Sequence, residues 1–277
     1  MSVGTVSATL NYFVPPLDGS KPLVNINPDP RRGIPATNFG TEEKVIEITD
    51  LRGQEHTTNI DVHGFQYFKV PTKEKAFNND QTIKSQYYTE QANLIKKLTR
   101  ASRVVMFDHT IRHNKPGDEE DTPENRHPVP RVHVDQTAES ARARVIRHLP
   151  PSDTPRLLAG RYQIINLWRP IHNPAYDFPL ALCDYRTMNP STDLVPTTLK
   201  YPDRDGETFS VKFSPRHKWN YVRGMGVDEG VLIKCFDSVD DGSVAVLTPH
   251  TAFIDPTTPK DAPLRSSIEL RALVFYD

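Results

Sequence analysis

The amino-acid sequence predicts a mainly β fold, a sandwich or double-sheet jelly roll with a few flanking helices. Short segments with apolar residues at alternate positions recur along the chain. Proline outnumbers glycine, 25 to 13, which suits many short strands joined by proline-bounded turns. Helical periodicity is limited to residues 79–100 and 138–148. Because no repeat or linker divides the β-rich part, residues 1–277 are predicted to form a single domain.

Eleven segments carry the strand signal, since each is rich in β-branched, aromatic or aliphatic residues. The first is expected to be an edge strand that opens an extended, proline-rich N-terminal arm over residues 1–40. The second and third are expected at one margin of a sheet. In chain order, the predicted strands are Ala8–Phe13, Val45–Asp50, Phe65–Val70, Val104–Phe107, Tyr162–Trp168, Leu180–Cys183, Thr208–Phe213, Trp219–Tyr221, Val231–Phe236, Ala245–Leu247 and Ile268–Phe275.

The two predicted helices flank an acidic loop. The first helix, over residues 79–100, has a candidate cap at Asn79 and is expected against the outside of a sheet. The second, over residues 138–148, is stopped by the prolines that follow it. Residues 113–130 are acidic and rich in proline, which is typical of a solvated loop. Two interpretations stay open for this segment, a plain surface loop and a lid over a site.

Composition narrows the classes of function. Charge is almost balanced, with 34 Lys and Arg against 35 Asp and Glu, and no basic block is interleaved with aromatic residues, so we expect a small-molecule partner and no nucleic acid. Neither a signal-peptide pattern nor a membrane-length apolar segment is present, which predicts a cytoplasmic protein that binds no membrane. Cys183 and Cys235 form no CxxC pair and are expected to be buried. Glycine-rich nucleotide-binding motifs are absent.

A candidate metal site begins at His133 and Asp135. Both side chains leave the same face of a strand, because they are two residues apart. About one such pair is expected by chance among ten histidines. A second histidine, His250, lies far along the chain, and a jelly roll brings such distant strands together. Two histidines and one carboxylate form the facial triad of non-haem Fe(II) oxygenases, which leaves coordination positions open for oxygen chemistry.

Candidate anchors for a carboxylate co-substrate follow His250. Arg265 and Ser267 lie where the chain enters the next predicted strand, and extended alternation puts them on one face, where a guanidinium and a hydroxyl can bind the far end of a dicarboxylate. Arg271 lies six residues after Arg265, on the same face of an extended strand, and competes for this role. The spacing from His250 favours Arg265.

The motifs resemble those of the fungal AsaB-type hydroxylase/desaturase family, which has gibberellin-desaturase-like and cephem-methoxylase-related members. The order of His-x-Asp, a distant His and Arg-x-Ser is similar to that of Fe(II)/2-oxoglutarate-dependent oxygenases in general. The closer resemblance runs from about residue 100 to the C-terminus. It rests on six blocks in order: Phe107–Arg112, His133–Thr137, Asn166–Ile171, Pro179–Asp184, Lys234–Ser238 and Pro249–Phe253.

The resemblance implies a double-stranded β-helix, which is a jelly roll, and an enzyme that uses Fe(II), 2-oxoglutarate as co-substrate and O2. It implies hydroxylation or desaturation of a small-molecule secondary metabolite. Members of this family oxidise diverse metabolites, so the substrate stays open, and the chain is compatible with a homodimer. Two other functions are carried as alternatives: a non-catalytic jelly-roll binding or accessory protein, and a cupin-type metal-dependent isomerase or lyase that needs no Arg265.

Five further residues are candidates for the substrate site or for contacts that orient the metal ligands. His109 and Arg112 follow a buried strand and are placed beside the ligands, although a structural histidine fits equally well. Asn166, Trp168 and Arg169 offer an amide, a flat ring and a forked donor, which suits a pocket wall. Trp168 fits an ordinary core position equally well.

Overall fold

The computed structural model describes residues 4–115 and 126–276, and the following elements are those of the described residues. Two sheets contain the strands β1 (Gly4–Val14), β2 (Leu23–Asn25), β3 (Gly40–Asp50), β4 (Phe65–Lys69), β5 (Arg103–His113), β6 (His133–Val134), β7 (Tyr162–Pro170), β8 (Leu180–Cys183), β9 (Leu194–Lys200), β10 (Asp205–Val211), β11 (Trp219–Tyr221), β12 (Glu229–Asp237), β13 (His250–Ala252) and β14 (Ser266–Phe275).

The helices are short and connect or cover the strands. The α-helices are α1 (Ile60–His63), α2 (Asp80–Thr82), α3 (Tyr88–Thr99), α4 (Ala138–His148), α5 (Thr154–Ala159) and α6 (Pro190–Asp193). A π-helical turn, Ile83–Tyr87, joins α2 to α3. Single 3-10 turns lie at Pro30–Arg32, Glu55–Thr57 and Tyr185–Thr187. Among the described residues, no helix is long and apolar enough to cross a membrane.

The large sheet has nine strands in the order β1-β3-β11-β8-β13-β6-β10-β9-β2, and the small sheet has five in the order β4-β12-β7-β14-β5. Most neighbouring strands are antiparallel, although β2 and β9 are parallel, as are β3 and β11. Strands far apart in sequence are neighbours in both sheets, which is the topology of a jelly roll. The predicted mainly β, jelly-roll fold is therefore confirmed.

Three apolar clusters hold the sheets together. Between the two sheets, side chains such as Trp168 of β7 and Leu182 of β8 pack with Val145 of α4. A second cluster joins the strands of the large sheet, including β1, β6 and β11. The third lies on the outer face of the small sheet and is covered by α3. The face of the small sheet toward the large sheet is called the inner face below.

Both predicted helices are present. The first spans α2, the π turn and α3, and the Asn79 side chain accepts a hydrogen bond from the Thr82 backbone N–H at its start. It covers the outer face of the small sheet through residues such as Ile95, as predicted. The second helix is α4, where Thr137 and Ser140 form a reciprocal capping box directly after the metal motif.

The N-terminal segment contributes strands to both edges of the large sheet. β1 is the predicted edge strand and pairs with β3 over its whole length, while β2 pairs with β9 at the opposite edge. Much of the segment predicted as an extended arm, residues 1–40, is thus built into the sheet.

Two strand predictions are wrong. β3 and β4 do not share a sheet margin, since β3 lies within the large sheet and β4 forms an edge of the small one. Residues Ala245–Leu247 are buried but form no strand, because the Ala245 backbone N–H donates to the carbonyl of Asp61 instead of entering a ladder. The predicted lid, residues 113–130, falls mostly on residues 116–125, which lie outside the described part of the chain.

Candidate metal centre and its cavity

The two candidate histidine ligands are direct neighbours across the large sheet. β13 pairs with β6 so that His250 lies opposite His133, and their ring centroids are 4.4 Å apart. Asp135 follows two residues later, with its Oδ1 at 3.4 Å from His133 Nε2 and 3.8 Å from His250 Nε2. One ligand atom from each of the three residues lies within 4.8 Å of the others. The jelly-roll topology thus brings together residues that the sequence separates widely.

Backbone carbonyls set the orientation of both imidazoles. His133 Nδ1 lies 2.7 Å from the carbonyl oxygen of Arg131, and His250 Nδ1 lies 3.1 Å from that of Thr248. A carbonyl can only accept, so each Nδ1 carries a proton, and in the neutral imidazole each Nε2 presents a lone pair toward Asp135. Burial and the nearby His133 lower the pKa of His250, which favours its neutral form. Neutral imidazoles with a fixed tautomer are suited to bind a divalent metal.

The Asp135 carboxylate uses its two oxygens differently. Oδ1 faces the imidazoles, whereas Oδ2 accepts a 2.6 Å hydrogen bond from Asn166 Nδ2 and lies 3.8 Å from Arg271 Nε. Burial opposes ionisation of this carboxyl, but the neighbouring imidazoles and the charge of Arg271 hold its pKa well below its usual range. Asp135 is therefore an ionised carboxylate with one oxygen free for a metal. This donor set fits Fe(II).

A buried glutamate that sequence reasoning missed supports this arrangement. Glu269 Oε1 accepts hydrogen bonds from Arg271 Nη2 at 2.6 Å and from Asn166 Nδ2 at 3.2 Å. The same arginine donates to Thr110 Oγ1 at 2.9 Å and contacts Asp108. The available signal was spacing along the strand, because Glu269 lies two residues from both Ser267 and Arg271 and so shares the inner face of β14 with them.

Arg265 and Ser267 are adjacent, as the sequence predicted. Arg265 is 3 % exposed, and it donates from Nε to Ser267 Oγ at 3.1 Å and from Nη1 to the Phe178 carbonyl at 2.7 Å. Its guanidinium carbon lies 5.1 Å from the centroid of the Trp168 ring. No carboxylate among the described residues forms an ion pair with it. Burial and the positive charge of Arg112 lower the pKa of Arg265, so its charge is poorly compensated.

The candidate pocket residues divide between the two faces of the small sheet. Arg112 lies directly opposite Ser267 on the inner face, and Asn166 and Trp168 also point inward. His109 and Arg169 point outward, because they alternate with those residues along β5 and β7.

The outward residues have partners of their own. His109 Nδ1 lies 2.8 Å from the Tyr88 hydroxyl on α3, and Arg169 donates to the Val70 and Val227 carbonyls. The structure therefore corrects the expected placement of His109 beside the metal ligands and of Arg169 in the pocket wall, whereas it brings the other candidates to the inner face.

A cavity of about 1120 Å³ reaches the metal ligands. His133, Asp135 and Arg271 line its inner end together with Arg112. Its walls come from α4, the β9–β10 hairpin and the segment around β2. Its volume is in the range of pockets that hold small-molecule ligands.

A jelly roll that directs two histidines and one carboxylate toward the end of a cavity is the architecture of mononuclear metal-dependent oxygenases. Residues 10–275 match the family model described as "Oxidoreductase/YMDC permease-like domain". The hydroxylase/desaturase efuI of Hormonema carpetanum is 35% identical over 99% of this chain and 96% of its own length. The Fe(II)/2-oxoglutarate-dependent dioxygenase nvfI of Aspergillus novofumigatus is 33% identical over 95% of this chain and 94% of its own.

A solved structure of the iron and alpha-ketoglutarate-dependent endoperoxidase NvfI has the same fold, with a TM-score of 0.86 and 28% identity over 98% of both chains. The chain therefore belongs to the hydroxylase/desaturase family of Fe(II)/2-oxoglutarate-dependent dioxygenases. This confirms the family that the sequence motifs indicated.

Proposed function

We propose that His133, Asp135 and His250 bind Fe(II), that Arg265 and Ser267 anchor 2-oxoglutarate, and that the enzyme hydroxylates or desaturates a small-molecule secondary metabolite. One observation carries the proposal: one ligand atom from each of the three residues lies within 4.8 Å of the others, and His133 and Asp135 line the cavity. The bound metal, co-substrate and O2 would supply oxidative decarboxylation and removal of hydrogen from a C–H bond. Whether an alcohol or an alkene forms depends on how the cavity wall positions the substrate.

The environments of the two inner-face arginines support Arg265 as the anchor of 2-oxoglutarate. Arg271 is already bound to Glu269 at 2.6 Å and lies close to Asp135 and Asp108. Among the described residues, the Arg265 guanidinium donates only to a hydroxyl and a backbone carbonyl, whereas the Arg265 backbone N–H donates to Asp177 Oδ2. A buried guanidinium without a carboxylate partner gains most from binding one. Arg271 is thus assigned to holding Asp135, and the co-substrate role goes to Arg265.

Anaerobic titration of the Fe(II)-loaded protein with 2-oxoglutarate tests this assignment. We expect a weak visible charge-transfer band in the wild type and none in His133→Ala. Arg265→Gln should bind Fe(II) normally but weaken 2-oxoglutarate about 10- to 100-fold, the cost of a charge-assisted hydrogen bond. Arg271→Gln, the matched control, should weaken Fe(II) binding more than 2-oxoglutarate binding.

Three outcomes would contradict the proposal. The first is a wild type with neither the band nor iron uptake. The second is an unchanged 2-oxoglutarate affinity in Arg265→Gln together with its loss in Arg271→Gln. The third concerns turnover: a metabolite-pool screen with the active enzyme should show succinate release coupled to a product that gains one oxygen or loses two hydrogens. Succinate without any such product from any pool would contradict the substrate class.

The proposal also includes the setting of the enzyme: the cytoplasm, a small-molecule substrate with no nucleic acid or membrane as partner, and a homodimer. Both cysteines, Cys183 and Cys235, are free and buried, which is compatible with a reducing compartment. Cell fractionation and light scattering of the purified protein test these points. A membrane or organelle fraction, or a larger oligomer, would contradict them.

A further inference from the structure

The cavity that reaches the metal ligands is lined by more cations than anions. Eight basic and five acidic side chains line it, a surplus of three positive charges in a chain whose net charge is −1. Several of these cations are neutralised within the protein. Lys21 pairs with Glu207 at 3.0 Å, Arg204 with Asp203 at 2.9 Å, and Arg271 with Glu269.

Arg131 is a half-buried cation of this wall without a carboxylate partner among the described residues. It precedes His133 by two residues, and its guanidinium carbon lies 5.1 Å from the centroid of the Phe39 ring. Its Nε is buried and no described group accepts a hydrogen bond from it. Partial burial also limits the hydration of this guanidinium.

Arg144 is a second half-buried cation of the same wall and lies on α4, the helix that follows the metal motif. Its guanidinium carbon lies 5.5 Å from the centroid of the Phe107 ring, and it has no hydrogen bond or ion pair to any described residue. Burial lowers the pKa of Arg144. A guanidinium stacked on a ring keeps its edge donors free for a planar anion.

We propose that the substrate bears a carboxylate, which Arg144 and Arg131 recognise in the cavity. This inference rests on the proposed function, and it names the chemical class of its substrate. A partly desolvated guanidinium with free donors binds a carboxylate by a charge-assisted, forked hydrogen bond, and it gains little from a neutral ester or amide. The two arginines flank the metal motif in sequence, Arg131 just before β6 and Arg144 on α4, and both line the cavity, so the anion is held there.

Benzoate and benzamide test the inference, because they share a shape that fits the cavity and differ in charge. Their binding is measured by calorimetry on the Mn(II)-loaded protein with saturating 2-oxoglutarate and without oxygen. We expect benzoate to bind about 10- to 100-fold more tightly than benzamide. Arg144→Gln and Arg131→Gln should each reduce this ratio, and the double variant should remove it while benzamide affinity stays the same.

Arg147→Gln is the matched control, since Arg147 also lines the cavity from α4 but is exposed. It should leave the ratio unchanged. The inference is overturned if benzoate does not bind, if it binds no better than benzamide, or if Arg147→Gln reduces the ratio as much as Arg144→Gln does. A fall in 2-oxoglutarate affinity in the Arg144 and Arg131 variants would also overturn it, because these arginines would then serve the co-substrate. Failure of the proposed function is separate, since it is seen as a missing charge-transfer band in the wild type.

Discussion

Two polar clusters lie on opposite faces of the small sheet, and one strand, β7, contributes an amide to each. On the inner face, Asn166 donates to Asp135 and Glu269. On the outer face, Gln163 donates to Asp237 at 2.6 Å and accepts from the Tyr276 hydroxyl. The amides are three residues apart, so strand alternation sends them to different faces.

The outer cluster is closed. Lys234 Nζ lies 2.6 Å from Asp61 Oδ1 and 2.8 Å from Asp237 Oδ2, and Arg161 contacts both carboxylates. A β-bulge after Lys234 leaves Cys235 out of the ladder, and Asp237 then lies opposite Gln163. Each charge in this cluster therefore has a partner of opposite sign within the protein.

The inner cluster is incomplete on one side. Asn166, Arg271 and Glu269 satisfy Asp135 Oδ2, but Oδ1 and the two imidazole Nε2 atoms present lone pairs to one another without a donor among the described residues. Lone pairs that converge without a donor repel one another unless a cation binds between them. A completed polar cluster can serve stability, whereas one that leaves several acceptors aimed at one point is suited to bind a cation.

The largest difference between the clusters should follow from His250→Ala. Removal of this ligand should abolish tight Fe(II) binding and reduce succinate formation to background, because two ligands do not retain the ion. The metal-free variant should unfold at nearly the wild-type temperature, since the outer cluster stays intact. Iron content, succinate release and thermal unfolding of the metal-free protein measure these effects. Wild-type iron content in His250→Ala would place the metal elsewhere.

The opposite result is expected for Asp237→Asn in the outer cluster. It leaves Lys234 and Arg161 with too little negative charge and should lower the free energy of unfolding by about 3–5 kcal/mol, the usual cost of breaking a buried pair. Fe(II) affinity of the folded protein should not change. Urea unfolding of the metal-free protein and metal titration measure the two quantities.

The pH dependence of the difference in the free energy of unfolding between the wild type and Asp237→Asn tests whether the loss comes from the ion pairs. Burial opposes ionisation of Asp237, but hydrogen bonds from Arg161 and Lys234 and the charge of Lys234 lower its pKa overall. A carboxyl with a lowered folded-state pKa stabilises the protein above its unfolded pKa, about 3.9, and this contribution is lost as the pH falls through the folded value. The wild type should therefore lose its higher free energy of unfolding relative to the variant only below about pH 4. A difference that disappears already near neutral pH would contradict the ion-pair explanation.

Part of the site was predictable because side chains alternate between the two faces of a strand. The spacing of His133 and Asp135 was sufficient to place both on one face, and the order of motifs indicated His250 and Arg265. Alternation would also have excluded one candidate, because Arg169 must face away from Trp168 along β7. In β5 a bulge at Phe107 interrupts the alternation, so the outward position of His109 could not be derived from the predicted strand.

Other features depend on tertiary contacts that no local pattern contains. Direct pairing of His250 with His133 follows from the strand order of the whole large sheet. Glu269 looks like an ordinary strand residue until Arg271 and Asn166 are placed beside it. The strand β2 has only three residues, and its position at the far edge of the large sheet depends on β9. Sequence therefore predicted the ligand types and the fold class better than the residues that orient the ligands.

The smallest effect is expected when the two β7 amides, Asn166 and Gln163, are each replaced by alanine. Asn166→Ala removes the hydrogen bond to Asp135 Oδ2, so the carboxylate is held less firmly and Fe(II) affinity should fall about 10- to 100-fold, as for other contacts that orient metal ligands. Gln163→Ala is the matched change on the outer face, and it should reduce stability while leaving Fe(II) affinity as in the wild type. Metal titration and urea unfolding of both variants separate the two roles. Equal losses of Fe(II) affinity would show that the small sheet transmits disturbance between its faces, and the division into a stabilising cluster and a metal-binding cluster would then be wrong.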